Sequence, residues 1–332
     1  MDIAKAVVLA TDCRGPEPWP SLGLSTRHLA PVANKPVLFH HLEALSAAGI
    51  AEAAIVCDRR SHAAVRGAVG DGSPWGLGVR YVVESPRSEV LASQAVAAFV
   101  GVDPVLVQHG DILLHEQLTA VNRQFDDHAL DALVLHAGQW VRPKPATARG
   151  IDGYLLGAGV YPDLCRQAAA LGDAVTRLRA AGARVQERYV EACLPCRGGT
   201  EALLATNRRM LEAMPDAEPL SERVFESELQ GRVAIDPSAE IHNTLIRGPV
   251  AIGPRARISN AYIGPYTAIG GDVEIDTVEL EHSIILDRAR LRFVGTRLEG
   301  SLIGPDAHVV RDFRMPQAIR LTVGAGAEVA IS

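Results

Sequence analysis

The sequence predicts an α/β domain on a mostly parallel sheet, followed by a parallel β-helix of hexapeptide repeats. Three observations lead there. Residues 1–214 alternate short, unbroken apolar runs with longer helical patterns, and apolar runs without alternation mean strands covered on both faces. Residues 215–230 (PDAEPLSERVFESELQ) are charged, hold two prolines and show no period, so they read as a linker. From 231 to 332 an aliphatic side chain returns every five or six residues: Ile235, Ile241, Ile246, Ile252, Ile258, Ile263, Ile269, Ile275 and Leu280.

Composition bounds the function. A chain of 332 residues is long enough for two cores at ~150 residues each. With 48% hydrophobic and 22% charged residues it has the make-up of a folded soluble protein, which excludes a disordered one. The net charge of -6 supplies no field to attract nucleic acid or anionic lipid. No stretch reaches the ~18 apolar residues of a membrane span. Neither nucleic acid nor membrane is therefore expected as a partner. Five cysteines, an odd number, point to reduced thiols and a cytoplasmic location.

The elements follow in order. Lys5 to Ala10 (KAVVLA) reads as a buried strand, Leu38 to Ala48 as a helix and Ala53 to Cys57 as a strand. Val79 to Glu84 is a strand, Glu89 to Val100 a helix, and Pro104 to Gln108 a strand ended by His109-Gly110-Asp111. Leu203 to Met214 closes the domain as a helix. Ligands of such sheets bind at the carboxyl ends of strands, so interest falls on the loop after Ala10, the loop after Val83, and Asp111. In the last third, AEIHNTLIRGPVAIG from Ala239, ARISNAYIGPYTAIG from Ala256 and VEIDTVELEHSIILD from Val273 repeat at 17 residues. An aliphatic every sixth residue with Gly, Pro or Asn at the bends is the β-helix signature, each coil adding to a common apolar stack.

The segments STRHLAPVANKPVLFHHLEALSAAGI (Ser25 to Ile50), GDGSPWGLGVRY (Gly70 to Tyr81), HGD at 109–111 and the coils together resemble the sugar-1-phosphate nucleotidylyltransferases. The type most resembled is the long-form glucose-1-phosphate thymidylyltransferase. That resemblance implies a Rossmann-like nucleotidyltransferase domain and a left-handed β-helix. It also implies a nucleoside triphosphate and a sugar 1-phosphate as partners, Mg²⁺ as cofactor, and a homo-oligomer. In the implied reaction a sugar-phosphate oxygen attacks the α-phosphorus and pyrophosphate leaves, so the protein positions groups and neutralises charge.

Residue by residue, the resemblance carries over unevenly. The family's glycine-rich loop is replaced by LATDCRGPEPWPSL (Leu9 to Leu22), whose only glycine is Gly15. Pro16, Pro18 and Pro20 remove N–H donors, and Asp12 sets a negative charge where a triphosphate would lie. Arg14 is the loop's one candidate phosphate-binding cation. Arg27 stands at the family's phosphate-binding lysine, keeping the charge in a bidentate fork, and Lys35 belongs to the pattern that holds its loop. Gly70, Asp71 and Gly72 match a nucleotide-site segment. Glu84 replaces a base-reading Gln, and a carboxylate only accepts, so it favours a base presenting donors, such as guanine. Leu91 replaces a glycine, while Gln94 fits some members. Asp111 matches the first Mg²⁺ carboxylate, but the second falls on Cys196 or Arg197, neither of which is a hard-oxygen ligand. Lys144 is a remnant of the family's sugar-phosphate segment, which is shortened between His136 and Gly153, and GVYP at 159–162 keeps the strand that follows.

Two readings stay open on these residues. One is an active transferase with altered base and sugar preference; the other is a catalytically silent member serving as a partner or regulatory subunit, for instance of an active paralogue. A third treats the β-helix as a hexapeptide acyltransferase with His242 and His282 as bases, although the coils lack an inserted loop to build a pocket. Separately, His109, Asp111, Cys193 and Cys196 could gather as a soft Zn²⁺ set, against the plainer alternative of two structural thiols and a capped histidine.

Overall fold

The computed structural model describes residues 3–11, 24, 26–84, 93–114, 118–138, 153–167, 171–193, 199–215 and 223–311. The first part is a three-layer α/β structure. In chain order its elements are β1 (Lys5–Ala10), β2 (Pro31–Val32), β3 (Lys35–Pro36), α1 (Val37–Ala47), β4 (Glu52–Cys57), α2 (His62–Val69), β5 (Gly78–Val83) and α3 (Gln94–Val100). Then come β6 (Val105–His109), β7 (Leu113–Leu114), α4 (Leu118–Asp127), β8 (Ala132–Gly138), β9 (Gly153–Leu156), α5 (Val160–Gln167), α6 (Leu171–Ala180), β10 (Val185–Cys193) and α7 (Gly199–Glu212). The sheet order is β5-β4-β1-β6-β9-β8-β10-β7. Strands β5, β4, β1 and β6 run parallel, and β9 enters antiparallel to both β6 and β8.

The unbroken runs have the expected cause. Val7, Leu9, Ala54 and Val56 face one apolar layer with Val96 and Phe99 of α3 and Tyr161 of α5. Ala6, Val8, Ala53 and Ile55 face the other, with Leu38, Leu42 and Leu45 of α1 and Phe125 of α4. Each strand is thus covered twice.

One element differs from the sequence reading. GVYP at 159–162 does not continue a strand: the strand is Gly153–Leu156, and Val160 opens a helix. Gly159, at φ +77°, makes the turn between them, and Pro162 is tolerated because the first helical turn has no donor to lose there. Tyr161 is buried for packing, not for pairing.

The second part is a left-handed β-helix whose faces are three parallel sheets. Ile241, Ile258, Ile275 and Leu291 stack in register on one face, and Ile246, Ile263 and Leu280 on the next. The ladder starts before Gly231, inside the stretch that reads as linker. Val224–Phe225 pairs with the strand from Glu240, and Glu228–Gln230 with Leu245–Arg247. Charged neighbours (SERVFESELQ) mask the period there, since only Val224 and Leu229 supply inward aliphatics. Ile263 is fully buried, so Ile263→Ala should lower the free energy of denaturant unfolding by about 2–5 kcal/mol through lost transfer energy and a cavity.

Candidate functional site

The site is assembled at the carboxyl ends of β1 and β6. A single turn of 3₁₀ helix, Arg27–Leu29, lies over them, capped by Thr26, whose Oγ1 accepts from the His28 N–H at 3.3 Å and pairs with His28 Nδ1 at 3.0 Å. The Ala30 N–H donates back to the Arg27 carbonyl, and the Val37 N–H donates to the Ala30 carbonyl, tying the turn to α1. The β2–β3 hairpin follows, and Lys35 reaches Glu43 of α1 at 2.7 Å, so it braces the hairpin as expected.

Opposite stands Asp111, just beyond β6. The Gly110 N–H donates to the Leu9 carbonyl, bringing the two strand ends together. A Cβ at Gly110 would meet His28 Cδ2 at 3.1 Å, the Leu9 oxygen at 3.2 Å and Val8 Cγ1 at 3.3 Å, so any side chain there would push these neighbours apart by a few tenths of an ångström. The outcome is a buried charge pair: Arg27 Nη2 lies 3.8 Å from Asp111 Oδ2, the residues being 7% and 3% exposed. Taking two charges from water is costly, and their mutual attraction offsets that only in part.

Two buried histidines lie beneath. Burial pushes the His28 imidazole down to about 3, with Arg27 and His41 pressing the same way and Asp111 and Asp58 opposing. Burial likewise holds His41 at about 4; its Nδ1 meets the Gln108 amide at 2.9 Å. Both rings are therefore neutral near pH 7. Sequence reading missed His28, His41 and Gln108. For His41 a signal was present, since it shares the apolar face of α1 with Leu38, Leu42 and Leu45 at helical spacing.

The other residues singled out fall elsewhere. Glu84, after β5, accepts from the Ser93 hydroxyl at 2.5 Å, and Ser93 caps α3 through the Val96 N–H. Gln94 is the exposed first residue of that helix. Glu84 thus ties the end of β5 to the start of α3, beside Gln94. Gly70, Asp71 and Gly72 precede β5 and lie at its amino end, away from Asp111. Their bonds are internal: Asp71 accepts from the Ser73 N–H and hydroxyl, and the Tyr81 hydroxyl donates to the Gly70 carbonyl. Gly72 has φ +87°, and a Cβ there would come within 2.4 Å of Val79 Cγ2. Gly72→Ala should lower unfolding free energy by at least about 2 kcal/mol, read by denaturant titration. On the β-helix, His242 pairs with Glu240 at 2.9 Å and stacks on Phe225, while His282 sits at a coil corner edge-on to Tyr266.

Arg14, Gly15, Lys144 and Cys196 lie outside the described residues, and of Cys193 only the backbone is described, paired with Leu113. Among the described residues no three His, Cys, Asp or Glu gather into a metal-holding group. Mg²⁺ binds through one or two carboxylates and completes its octahedron with water and substrate phosphates; Asp111, the carboxylate facing the Arg27 guanidinium, would supply one such oxygen. No helix among the described residues is long and apolar enough to cross a membrane.

Known proteins place this arrangement. Residues 22–147 match the family described as nucleotidyl transferase. The chain is 31% identical over 360 residues to a glucose-1-phosphate thymidylyltransferase of Streptomyces griseus, covering 99% of both. It is 30% identical over 360 residues to one of Streptomyces antibioticus, covering 98% of this chain and 99% of that one. A solved structure of a putative glucose-1-phosphate thymidylyltransferase from Bacillus anthracis matches with a TM-score of 0.53 at 17% identity, over 64% of this chain and 97% of that one; that likeness speaks for the fold.

Proposed function

Since the chain belongs to the glucose-1-phosphate thymidylyltransferase family of nucleotidyl transferases, we propose that it transfers a nucleotidyl group from a nucleoside triphosphate to a sugar 1-phosphate, releasing pyrophosphate, through a weakened site. The observation behind this reading is the Arg27–Asp111 pair at the carboxyl ends of β1 and β6. Arg27 offers a bidentate fork to the phosphate of the sugar. As a phosphate takes its place on the guanidinium, Asp111 is released from its partner. The neutral His28 ring adds no competing charge. Glu84 and Gln94 stand at the same edge of the sheet to meet the base.

The weakening follows from the phosphate loop. A triphosphate is held by backbone donors and cations; prolines 16, 18 and 20 take three N–H donors from the loop, and Asp12 sets a negative charge in it beside its single cation, Arg14. Calorimetric titration of each common nucleoside triphosphate with Mg²⁺ should accordingly show dissociation constants well above the low-micromolar range; a low-micromolar constant for any of them overturns the loop reading. The reaction itself is tested by mass spectrometry for a nucleotide sugar formed from glucose 1-phosphate and each triphosphate, a product that Asp111→Ala should abolish. The second reading, a silent subunit, draws on Cys196 or Arg197 standing where the second carboxylate belongs; no product with any triphosphate would favour it.

A further inference from the structure

The β-helix does not merely follow the transferase domain; it is built against the two chain segments that carry the charge pair. Three residues after Arg27, Ala30 enters an apolar cluster, and two after Asp111, Leu113 enters the same one. The cluster also holds Leu203 and Leu204 of α7 together with Ile284 and Leu286 of the coils. Around it run specific polar ties. Asn207, fully buried on α7, accepts from the Ala33 N–H at 2.9 Å and donates to the Tyr266 carbonyl at 3.0 Å. Asn34 at the hairpin tip donates to the Ile269 carbonyl at 2.8 Å. Arg208 lies 4.4 Å from the Tyr266 ring centre.

The docking face has its own composition. Outward positions on the face bearing Glu240–His242 are charged or polar: Glu240, Arg257, Glu274 and Arg290 align in one column. On the docked face the aligned outward column is Ala234, Ala251, Ala268, Ile284 and Leu302. Small residues admit close approach, and the larger aliphatics at the end fill the space under Ala30 and Leu113. A solvent-facing column has no physical reason to avoid charge over five coils.

We propose that the β-helix positions the Arg27–Asp111 pair, with Asn207 and Ile284 as positioning residues acting through the hairpin turn and the segment after β6. The single buried amide of Asn207 spans hairpin and coil, so the height of the Arg27 turn over β1 and β6 is set from the β-helix side. This rests on the proposed function for its ligand, glucose 1-phosphate, but not for its geometry.

The test compares three full-length variants: Asn207→Ala, Ile284→Ala, and Leu291→Ala, the last fully buried inside the coil stack. Glucose 1-phosphate binding is measured by calorimetry, and amide hydrogen exchange is followed at Val37 and Gly110, whose N–H groups bond to Ala30 and Leu9. Asn207→Ala and Ile284→Ala should weaken binding at least tenfold and speed both amides at least tenfold. Leu291→Ala should lower the melting temperature yet leave both readouts within twofold of the parent. If Asn207→Ala or Ile284→Ala does not fold, Asn207→Ser and Ile284→Val replace them, with effects in the same direction. Equal behaviour of all three variants, or parental values for the two interface variants, overturns the proposal. Absence of glucose 1-phosphate binding in the parent would defeat the proposed function alone; the exchange rates would then decide the positioning.

Discussion

Assayed beside the Streptomyces griseus relative with glucose 1-phosphate, Mg²⁺ and each nucleoside triphosphate in turn, this protein should release pyrophosphate at least ~10² to 10³-fold more slowly. In-line attack at the α-phosphorus needs a triphosphate held by preorganised donors and charge neutralised on its oxygens. Here the loop from Leu9 to Leu22 has one glycine and three prolines. Among the described residues, Arg27 and Asp111 face each other at 3.8 Å. Losing one such contact typically lowers kcat by ~10² to 10³, and contacts that act as a unit do not add independently. The expected deficit therefore has a floor more clearly than a ceiling. Arg27→Ala should remove what rate remains, since it strips the sugar phosphate of its cation and takes the guanidinium from beside Asp111. Cys196→Asp and Arg197→Asp each offer back a carboxylate, and whichever raises the rate identifies the position that lost it. An ordinary rate with any triphosphate, abolished by Asp111→Ala, would mean that the phosphate site has been rebuilt instead of weakened.

Lowering the pH from 6.5 towards 4 should destabilise the protein steeply, and the buried histidines under the site should account for much of the slope. His28 is held at about 3 and His41 at about 4 in the folded chain, against 6.5 for a free imidazole. Below pH 6.5 the unfolded chain binds protons that the folded chain refuses, so stability is fully present above 6.5 and lost as the pH falls. Each such ring contributes at most ~1.4 kcal/mol per pH unit over that window. Denaturant unfolding between pH 6 and 5 should show a slope for His28→Gln shallower by about 1 kcal/mol per pH unit than the parent. The groups facing His28 are Arg27, His41, Asp111 and Asp58, and the carboxylates are too few to overcome its burial. An unchanged slope in His28→Gln would show that this imidazole takes up its proton without unfolding.

The sequence by itself determined the elements whose period is local. The 17-residue repeat from Ala239 specifies stacked coils because each coil pairs only with its neighbours, so identical spacing forces identical register. The runs KAVVLA and EAAIVC specify doubly covered strands because nothing in them alternates. What only the tertiary structure decided is everything set by residues distant in the chain. It placed Gly70–Asp71–Gly72 at the amino end of β5, turned GVYP into a helix start, and began the β-helix at Val224 instead of Gly231. It also brought Arg27 against Asp111, set His28 beneath both, and put Asn207 between hairpin and coil. Periodicity records which face of an element is apolar, whereas a site records which faces meet. The column Ala234, Ala251, Ala268, Ile284 and Leu302 shows the boundary between the two: its lack of charge is written in the sequence, but that it is covered by the segments beside Arg27 and Asp111 is a fact of packing alone.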